Sequence, residues 1–158
     1  MTDEIKELYG NRLRVRVCGL LIQNDGLLMV NHQSLTSGDF WAPPGGGINF
    51  GESATACLRR EFLEETGLEI QTADFLFACE FIRQPLHAIE LFFTVNGVKG
   101  VLVRGSDPEM KSDRQIIRNV QFLRWAEIQK IIPSALHGIF HIVNEPSRIT
   151  QLNGYLSL

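Results

Sequence analysis

GGINFGESATACLRREFLEETGL, residues Gly46 to Leu68, contains three glutamates that are spaced to share one face of a helix. At about 100° of rotation per residue, Glu61 and Glu65 fall on the same side as the apolar Leu58, and Glu64 lies at the margin of that side. In an ordinary amphipathic helix the charges lie opposite the apolar stripe. Here they continue it, so these carboxylates need a positive partner.

Two kinds of partner can balance these charges. A divalent cation such as Mg²⁺ binds carboxylate oxygens directly, and it relieves the repulsion between like charges within about 4 to 6 Å of one another. The alternative is that the glutamates are exposed and pair with Arg59 or Arg60 at the helix surface. The three glycines at positions 45–47 favour the metal, because glycine permits close ligand approaches and a carbonyl of this loop can face an ion.

The ends of the helix are also marked in the sequence. Ser53 is an expected N-cap, and residues 54–65 are good helix formers without an internal glycine or proline. Gly67 is the expected left-handed residue after the last turn. The sequence therefore predicts a helix from Ala54 to Glu65.

The same residues resemble the Nudix box of the Nudix hydrolase (MutT-like) family. That box is a glycine, five residues, a glutamate, seven residues, and then Arg-Glu-aliphatic-any-Glu-Glu-any-Gly-aliphatic. The matching positions here are Gly46, Glu52, Arg60, Glu61, Phe62, Glu64, Glu65, Gly67 and Leu68. Only Phe62 departs from the pattern, since the family usually carries Ile, Leu or Val there, and this difference concerns the shape of the core more than the chemistry.

The resemblance implies an α/β Nudix fold, in which a mixed β-sheet is sandwiched between helices (α/β/α), with one domain spanning residues 1–158. It also implies the activity: a metal-dependent pyrophosphohydrolase, with Mg²⁺ or alternatively Mn²⁺ as cofactor, in which water attacks a phosphorus of a nucleoside diphosphate linked to another moiety. The metal neutralises phosphate oxygens and lowers the pKa of bound water.

Individual roles follow from the same resemblance. The metal ligands are the carbonyl of Gly46 and the carboxylates of Glu61, Glu64 and Glu65, while Arg60 orients Glu61. Glu52 supports the helix end and the loop. The catalytic set is thus Glu61, Arg60 and Glu64, together with an acid from a distant loop.

The general base stays open between the box and that loop. Glu61 is the first candidate, and the acidic loop at residues 105–113 offers Asp107, Glu109 and Asp113 as rivals, with Glu109 preferred among them by position. The Gly, Ser, Asp and Pro content of the loop is equally typical of a solvated turn.

Substrate choice depends on residues outside the box. Trp41 and Phe81 are candidates to stack on a base and Arg83 to meet a phosphate, although aromatic residues near strand ends more often pack in the core. Pro85 lies close to, but not at, the spacing associated with ADP-ribose hydrolases, and a plain turn proline is the commoner explanation, so ADP-ribose or a sugar nucleotide is a first candidate on modest grounds. The alternatives are a pyrophosphohydrolase that removes unwanted nucleoside triphosphates, and a non-catalytic binding or regulatory module.

Composition places the chain in a broad class. The 158 residues are 44% hydrophobic, which suits one globular unit. The net charge of −3 provides no long-range attraction to nucleic acid or to an anionic membrane, so we expect a small nucleotide as the partner.

Family members are often homodimers, but no segment proves an interface here. Scattered cysteines without a CxxC pair, and an N-terminus without signal-peptide features, indicate a soluble cytoplasmic protein.

Periodicity and turn signals predict the remaining elements. Strands are expected at residues 14–22 and 27–31, joined by a turn at Asp25-Gly26, and at residues 75–82, 89–95 and 120–125. Helices are expected at residues 125–131 and 133–143, lying over the face of the sheet opposite the box helix.

The four histidines are weaker candidates for site residues than the box glutamates. His137 and His141 are four residues apart, as in some zinc sites, but no third ligand is nearby and an acidic partner is missing. His32 and His87 are isolated, and isolated histidines are usually surface or hydrogen-bonded core residues. None of the four is assigned to the site.

Overall fold

The computed structural model describes residues 10–33, 38–105 and 117–158, and it has a mixed sheet between two apolar clusters. The described strands are β1 (Leu13–Leu20), β2 (Ile22–Gln23), β3 (Gly26–Gln33), β4 (Asp39–Ala42), β5 (Gly45–Gly47), β6 (Glu69–Ile70), β7 (Ala73–Arg83), β8 (Leu86–Val95), β9 (Val98–Lys99), β10 (Ile117–Arg124) and β11 (Gly154–Ser157). The α-helices are α1 (Ala54–Thr66), α2 (Trp125–Ile128) and α3 (Pro146–Ile149).

The main sheet has the strand order β11-β7-β8-β1-β5. Strand β1 runs parallel to β8 and antiparallel to β5, so the sheet is mixed. A second sheet contains β10, β3 and β2, with β4 paired to β3, and β6 pairs with β9. The predicted α/β fold class is confirmed, as a mixed sheet of several strands with few helices.

The two faces of the main sheet are covered by different parts of the chain. Helix α1 buries Cys57, Leu58 and Phe62 against one face, together with Val17 of β1. The segments that follow β10 cover the other face and pack against Cys18 and its neighbours. Alternation along β1 therefore divides the core, as successive side chains of a strand point to opposite faces.

Phe62 fits this core because Gly19 of β1 lies under its ring. A Cβ at position 19 would collide with the ring of Phe62 and lie 3.0 Å from Val95 Cγ2. The unusual aromatic residue of the box is thus accommodated by a missing side chain on the facing strand.

The predicted caps of α1 are confirmed. Ser53 Oγ accepts a hydrogen bond from the N–H of Ala56 at 3.2 Å, and Gly67 has φ 72° with its N–H bonded to the carbonyl of Leu63. The first hairpin differs by one residue from the expectation. Its turn residues are Asn24 and Asp25, both with positive φ, so Gly26 already belongs to β3.

The predicted helix over residues 133–143 is wrong. Two 3₁₀ turns, Pro133–Ala135 and Gly138–His141, occupy this region, and Leu136 between them is extended. The reason is a tertiary contact: Leu136 bridges to Trp41, and the N–H of His137 donates to the carbonyl of Trp41 at 2.9 Å. The segment predicted at residues 125–131 forms a helix only as far as Ile128.

Candidate functional site

Arg60 is the centre of the polar cluster on α1. Its guanidinium group donates to both oxygens of Glu52 at 2.9 and 3.0 Å, to Glu61 at 2.8 Å and to Glu64 at 3.1 Å. It also donates to the carbonyl of Gly47 at 3.1 Å. One side chain therefore joins three carboxylates of the box to the glycine strand β5.

Glu65 lies deeper than the other acidic residues and has separate partners. Its Oε2 accepts the N–H of Gly45 at 2.8 Å, and its Oε1 is 2.9 Å from Nε2 of His32 on β3. The carboxylate is buried. Glu65 thus connects α1 to both sheets, and its charge is oriented by two donors from neighbouring strands.

Strand β5 allows charged groups to approach it from both sides because it consists only of glycines. A Cβ at Gly46 would overlap the carboxylate of Glu61 on the side of α1. On the opposite side, a Cβ at Gly47 would lie 3.2 Å from Nη2 of Arg14, and Nη2 of Arg16 lies 3.5 Å from the carbonyl oxygen of Gly45. The backbone of β5 separates an acidic group of side chains from a basic one.

The pKa values of Glu61 and Glu52 show that Arg60 does not neutralise the glutamates of this cluster equally. Burial and the nearby charge of Glu65 raise the pKa of Glu61 to about 7, although Arg60 opposes this rise. In contrast, hydrogen bonding to Arg60 lowers the pKa of Glu52 to about 2. The acidic face around Glu61 therefore carries more negative charge than Arg60 alone compensates.

The donors of this cluster fit a hard divalent cation. Carboxylate oxygens and a backbone carbonyl are the ligands that Mg²⁺ and Mn²⁺ prefer, and the missing side chain at Gly46 leaves room for the Glu61 carboxylate against the backbone. In the described ranges no three His, Cys, Asp or Glu side chains are arranged as a ready metal site. Arg60 Nη1 contacts both Glu61 and Glu64, so in this arrangement the two carboxylates share a protein cation.

Two of the substrate-binding candidates, Phe81 and Trp41, lie on different strands over the face opposite α1. Phe81 lies on β7 opposite Ala88, and this pair continues to Arg14 of β1, so Phe81 shares a face with the arginines beside β5. Trp41 on β4 is partly buried and packs against the core cluster of the opposite face from α1. Strand β7 ends at Arg83, whose side chain lies outside the description.

The acidic loop lies outside the described residues, including Asp107, Glu109 and Asp113. Pro85 lies in the turn between β7 and β8, where its carbonyl accepts the N–H of Asn11 at 2.8 Å. These placements leave the roles assigned to Glu109 and Arg83 as predictions.

Four polar residues near the site were not assigned to it from sequence: His32, Arg16, Glu90 and His137. His32 reaches Glu65, and the other three form a chain across the opposite face of the sheet. The sequence does indicate that Glu90 is unusual, because it is a charged residue within the apolar run LHAIELFFTV. The two histidines suspected of binding zinc point to different partners, because His141 contacts the carbonyl of Pro133 and His137 contacts Glu90.

Comparisons with known structures agree with this fold. A MutT NUDIX hydrolase from Burkholderia pseudomallei is similar at 17% identity and a TM-score of 0.66, with 83% of this chain and 95% of that chain covered. A MutT protein from Methanosarcina mazei Go1 is 20% identical with a TM-score of 0.65, covering 82% and 88%. An ADP compounds hydrolase is 19% identical with a TM-score of 0.55, covering 73% and 60%.

The sequence itself was also compared with family models. The NUDIX domain matches residues 12–141, which contain the whole of α1, β5 and the cluster around Arg60. No helix in the described ranges combines the length and apolar character of a membrane span. The match covers most of the chain and includes every polar position of the box, and the chain therefore belongs to the NUDIX family, as a hydrolase that acts on phosphoric anhydride bonds.

Proposed function

We propose that this protein hydrolyses the diphosphate bridge of a nucleoside diphosphate linked to another moiety, with Mg²⁺ or Mn²⁺ held at the acidic face of α1. The observation that carries the proposal is the approach of Glu61 to the backbone of Gly46, next to Glu64 and Glu65 on one helix. We assign Gly46, Glu61, Glu64 and Glu65 as the metal-binding residues. When bound, the metal supplies charge neutralisation at phosphate and activation of water.

The residues of the chain have distinct roles in this proposal. Arg60 orients Glu61 and Glu64 through its two hydrogen bonds from Nη1, and Glu52 holds Arg60 from the other side. The carboxylate of Glu61 lies against the backbone of Gly46 at the proposed metal-binding face, a position that suits a general base for the attacking water. Glu61 is therefore our first candidate for this role.

The described residues on either side of the acidic segment support Glu109 as the second candidate. The loop leaves the described chain at Gly105, whose N–H donates to the carbonyl of Glu65 at 2.9 Å. The chain returns at Ile117, which pairs with His32 of β3, and His32 in turn contacts Glu65. Both ends of the loop are thus beside the proposed metal-binding face.

The basic side of β5 suits the negatively charged part of a substrate. Arg14 and Arg16 lie there on the same face as Phe81. The two arginines suit the diphosphate of a substrate and Phe81 suits its nucleobase, and these residues span strands β1, β8 and β7. We keep Phe81, Trp41 and Arg83 as substrate-binding candidates. ADP-ribose and sugar nucleotides are the first substrates to test, and the similarity to an ADP compounds hydrolase supports this order.

Two further expectations belong to this proposal. Cys18, Cys57 and Cys79 are free and buried, which supports a reducing, cytoplasmic environment.

We also propose that residues 1–158 form a single domain that acts on small nucleotides. Light scattering would decide whether it forms the homodimer that is common in the family.

A substrate panel with Mg²⁺ tests the reaction. The panel contains ADP-ribose, sugar nucleotides, dinucleoside polyphosphates and oxidised deoxynucleoside triphosphates, with nucleotide and phosphate release measured for each. We expect turnover of a diphosphate-linked compound to exceed that of every triphosphate. A clear preference for a triphosphate would replace our substrate class, and no release from any compound at high enzyme concentration would refute the hydrolysis.

Glu64→Gln tests the assigned metal-binding face. The amide preserves the shape of the side chain but removes its charge, so we expect kcat to fall at least about 100-fold while the circular dichroism spectrum is unchanged. Glu69→Gln, an exposed change on β6, is the matched control. Full turnover by Glu64→Gln would contradict the assignment of Glu64 as a metal ligand.

A further inference from the structure

Three polar side chains, those of His137, Glu90 and Arg16, form a polar chain across the face of the main sheet opposite α1. Nε2 of His137 lies 2.7 Å from Oε2 of Glu90, and Oε1 of Glu90 lies 3.4 Å from Nε of Arg16. The side chains of His137 and Glu90 are only 8% and 6% exposed, whereas that of Arg16 is 28% exposed. The chain therefore begins in the core and ends at the surface beside β5.

The hydrogen bonds determine the state of His137. Its Nδ1 accepts the backbone N–H of Ile139 at 3.2 Å, so this nitrogen carries no proton. Nε2 is then the ring nitrogen that donates to Glu90. Rings of Phe40 and Phe92 lie against the imidazole, with centroids 6.3 and 5.6 Å away, which restricts its orientation.

Glu90 remains the negatively charged member of this chain. Burial by itself would raise the pKa of Glu90, but the contacts with His137 and Arg16 outweigh it and lower the pKa to about 2. Because a buried carboxylate needs such partners, its position is tied to both of them. The N–H of His137 therefore holds the carboxylate that faces Arg16.

Arg16 extends from this carboxylate toward the glycine strand. Its Nη2 lies 3.5 Å from the carbonyl of Gly45, the residue whose N–H binds Glu65. Nε approaches Glu90 as an ion pair and has no hydrogen-bond partner among the described residues, so the hydrogen bond to Gly45 uses one of the five N–H donors of the group. Donors on the exposed side of the guanidinium group can therefore meet an anion beside β5.

We infer that Glu90 and His137 are positioning residues that aim the Arg16 guanidinium group at the diphosphate of the substrate. This inference rests on the proposed function, because it places the diphosphate beside β5. A lysine in place of Arg16 would keep the charge but lose the fork that contacts Glu90 and the substrate together. The pair in the core thereby controls substrate affinity without touching the substrate.

Kinetics of three histidine variants test the positioning role. His137→Leu removes the donor to Glu90, His137→Gln retains an N–H in its place, and His141→Leu is the matched control on the same segment. With Mg²⁺ and ADP-ribose, we expect His137→Leu to raise KM at least about tenfold with kcat changed less than about threefold. His137→Gln and His141→Leu should keep KM within about threefold of the wild-type value.

Glu90→Gln provides a second variant if His137→Leu does not fold. It preserves the shape of the side chain and an acceptor for His137, but it removes the charge that faces Arg16. We expect the same rise in KM. Unchanged KM in the folded variants, or equal losses in His137→Leu and His137→Gln, would overturn the positioning role.

An NMR measurement separates this inference from the proposed substrate. The ¹⁵N–¹H signal of Arg16 Nε is identified by its absence in Arg16→Lys, and it is recorded without any nucleotide. We expect it to shift or broaden in His137→Leu and to return in His137→Gln. An unaffected signal would refute the positioning even if ADP-ribose is hydrolysed. A responsive signal in a protein that hydrolyses nothing would support the positioning and refute the proposed function alone.

Discussion

At the scale of single residues, glycines determine where charged side chains can go. Gly46 has no Cβ to obstruct Glu61, and Gly47 leaves room for Arg14 on the other side of the same strand. A Cβ added at either position meets a flexible side chain instead of the backbone. Substitutions here consequently test function more than folding.

Gly46→Ala should separate metal binding from stability. The added methyl group would occupy the position of the Glu61 carboxylate, which can swing away at low cost. We expect Mg²⁺ affinity, measured by calorimetric titration, to fall at least about tenfold while the urea midpoint changes little. Gly47→Ala is the control, because its methyl group meets Arg14 instead. Equal Mg²⁺ affinity in Gly46→Ala and the wild type would argue against a metal beside Glu61.

Gly19 and Phe62 form a second pair in which one residue depends on the other. We expect Gly19→Ala to destabilise the fold by about 1 to 3 kcal/mol, because the methyl group meets a ring that cannot move within a packed core. Phe62→Leu in the same molecule should recover part of this loss, since it removes the obstructing atoms. Urea unfolding of both single variants and the double variant measures the coupling. Strictly additive losses would show that the two positions are independent.

At the scale of elements, Arg60 links α1 to the segment that precedes it. Its guanidinium group contacts Glu52 before the helix, Glu61 and Glu64 within it, and the carbonyl of Gly47. The planar fork of arginine can make these bonds together, whereas the ammonium group of lysine is a single point charge. The arrangement of the acidic face is therefore a property of the helix and its preceding loop together.

Arg60→Lys should reduce activity although it conserves charge. Loss of the fork would release Glu52 and leave Glu61 and Glu64 less well oriented, so we expect kcat to fall at least about tenfold. Arg59→Lys is the matched control, because Arg59 is an exposed neighbour that donates a hydrogen bond to the carbonyl of Gln71 and none to the box glutamates among the described residues. Steady-state kinetics on the substrate found in the panel provides the measurement. Equal kcat in the two variants would contradict the role of Arg60.

At the scale of the whole molecule, the buried Glu90 couples stability to pH. Its pKa of about 2 in the folded state is below the ordinary glutamate value. A depressed pKa contributes stability that is present above about pH 4.5 and is lost as the pH falls toward 2. The contribution is on the order of 3 kcal/mol, by the relation of about 1.4 kcal/mol per pKa unit.

Glu90→Gln should therefore flatten the acid side of the stability curve. We expect the free energy of unfolding of the wild type to fall more steeply between pH 4.5 and 2.5 than that of the variant. Urea unfolding at several pH values measures both curves, with Glu69→Gln as the exposed control. Parallel curves for Glu90→Gln and the wild type would show that Glu90 is not stabilised as an ion in the fold.

Much of the site was predictable because it is local. Ser53, the helix it caps and the spacing of Glu61, Glu64 and Glu65 lie within one short segment, where helical geometry alone brings side chains together. His32 and Arg16 were missed because they reach the site through strand pairing. Their partners, Glu65 and Glu90, are far away in sequence.

The box helix and its caps were predictable because the helical period and the glycines specify them locally, and the resemblance to the Nudix box indicated the family. Tertiary structure alone decided that residues 133–143 break into two 3₁₀ turns, because Leu136 and His137 bind the backbone of Trp41. It also decided that the glycine strand carries acidic groups on one side and arginines on the other. The physical reason is that backbone pairing between distant strands sets which side chains meet, and no local pattern encodes that register.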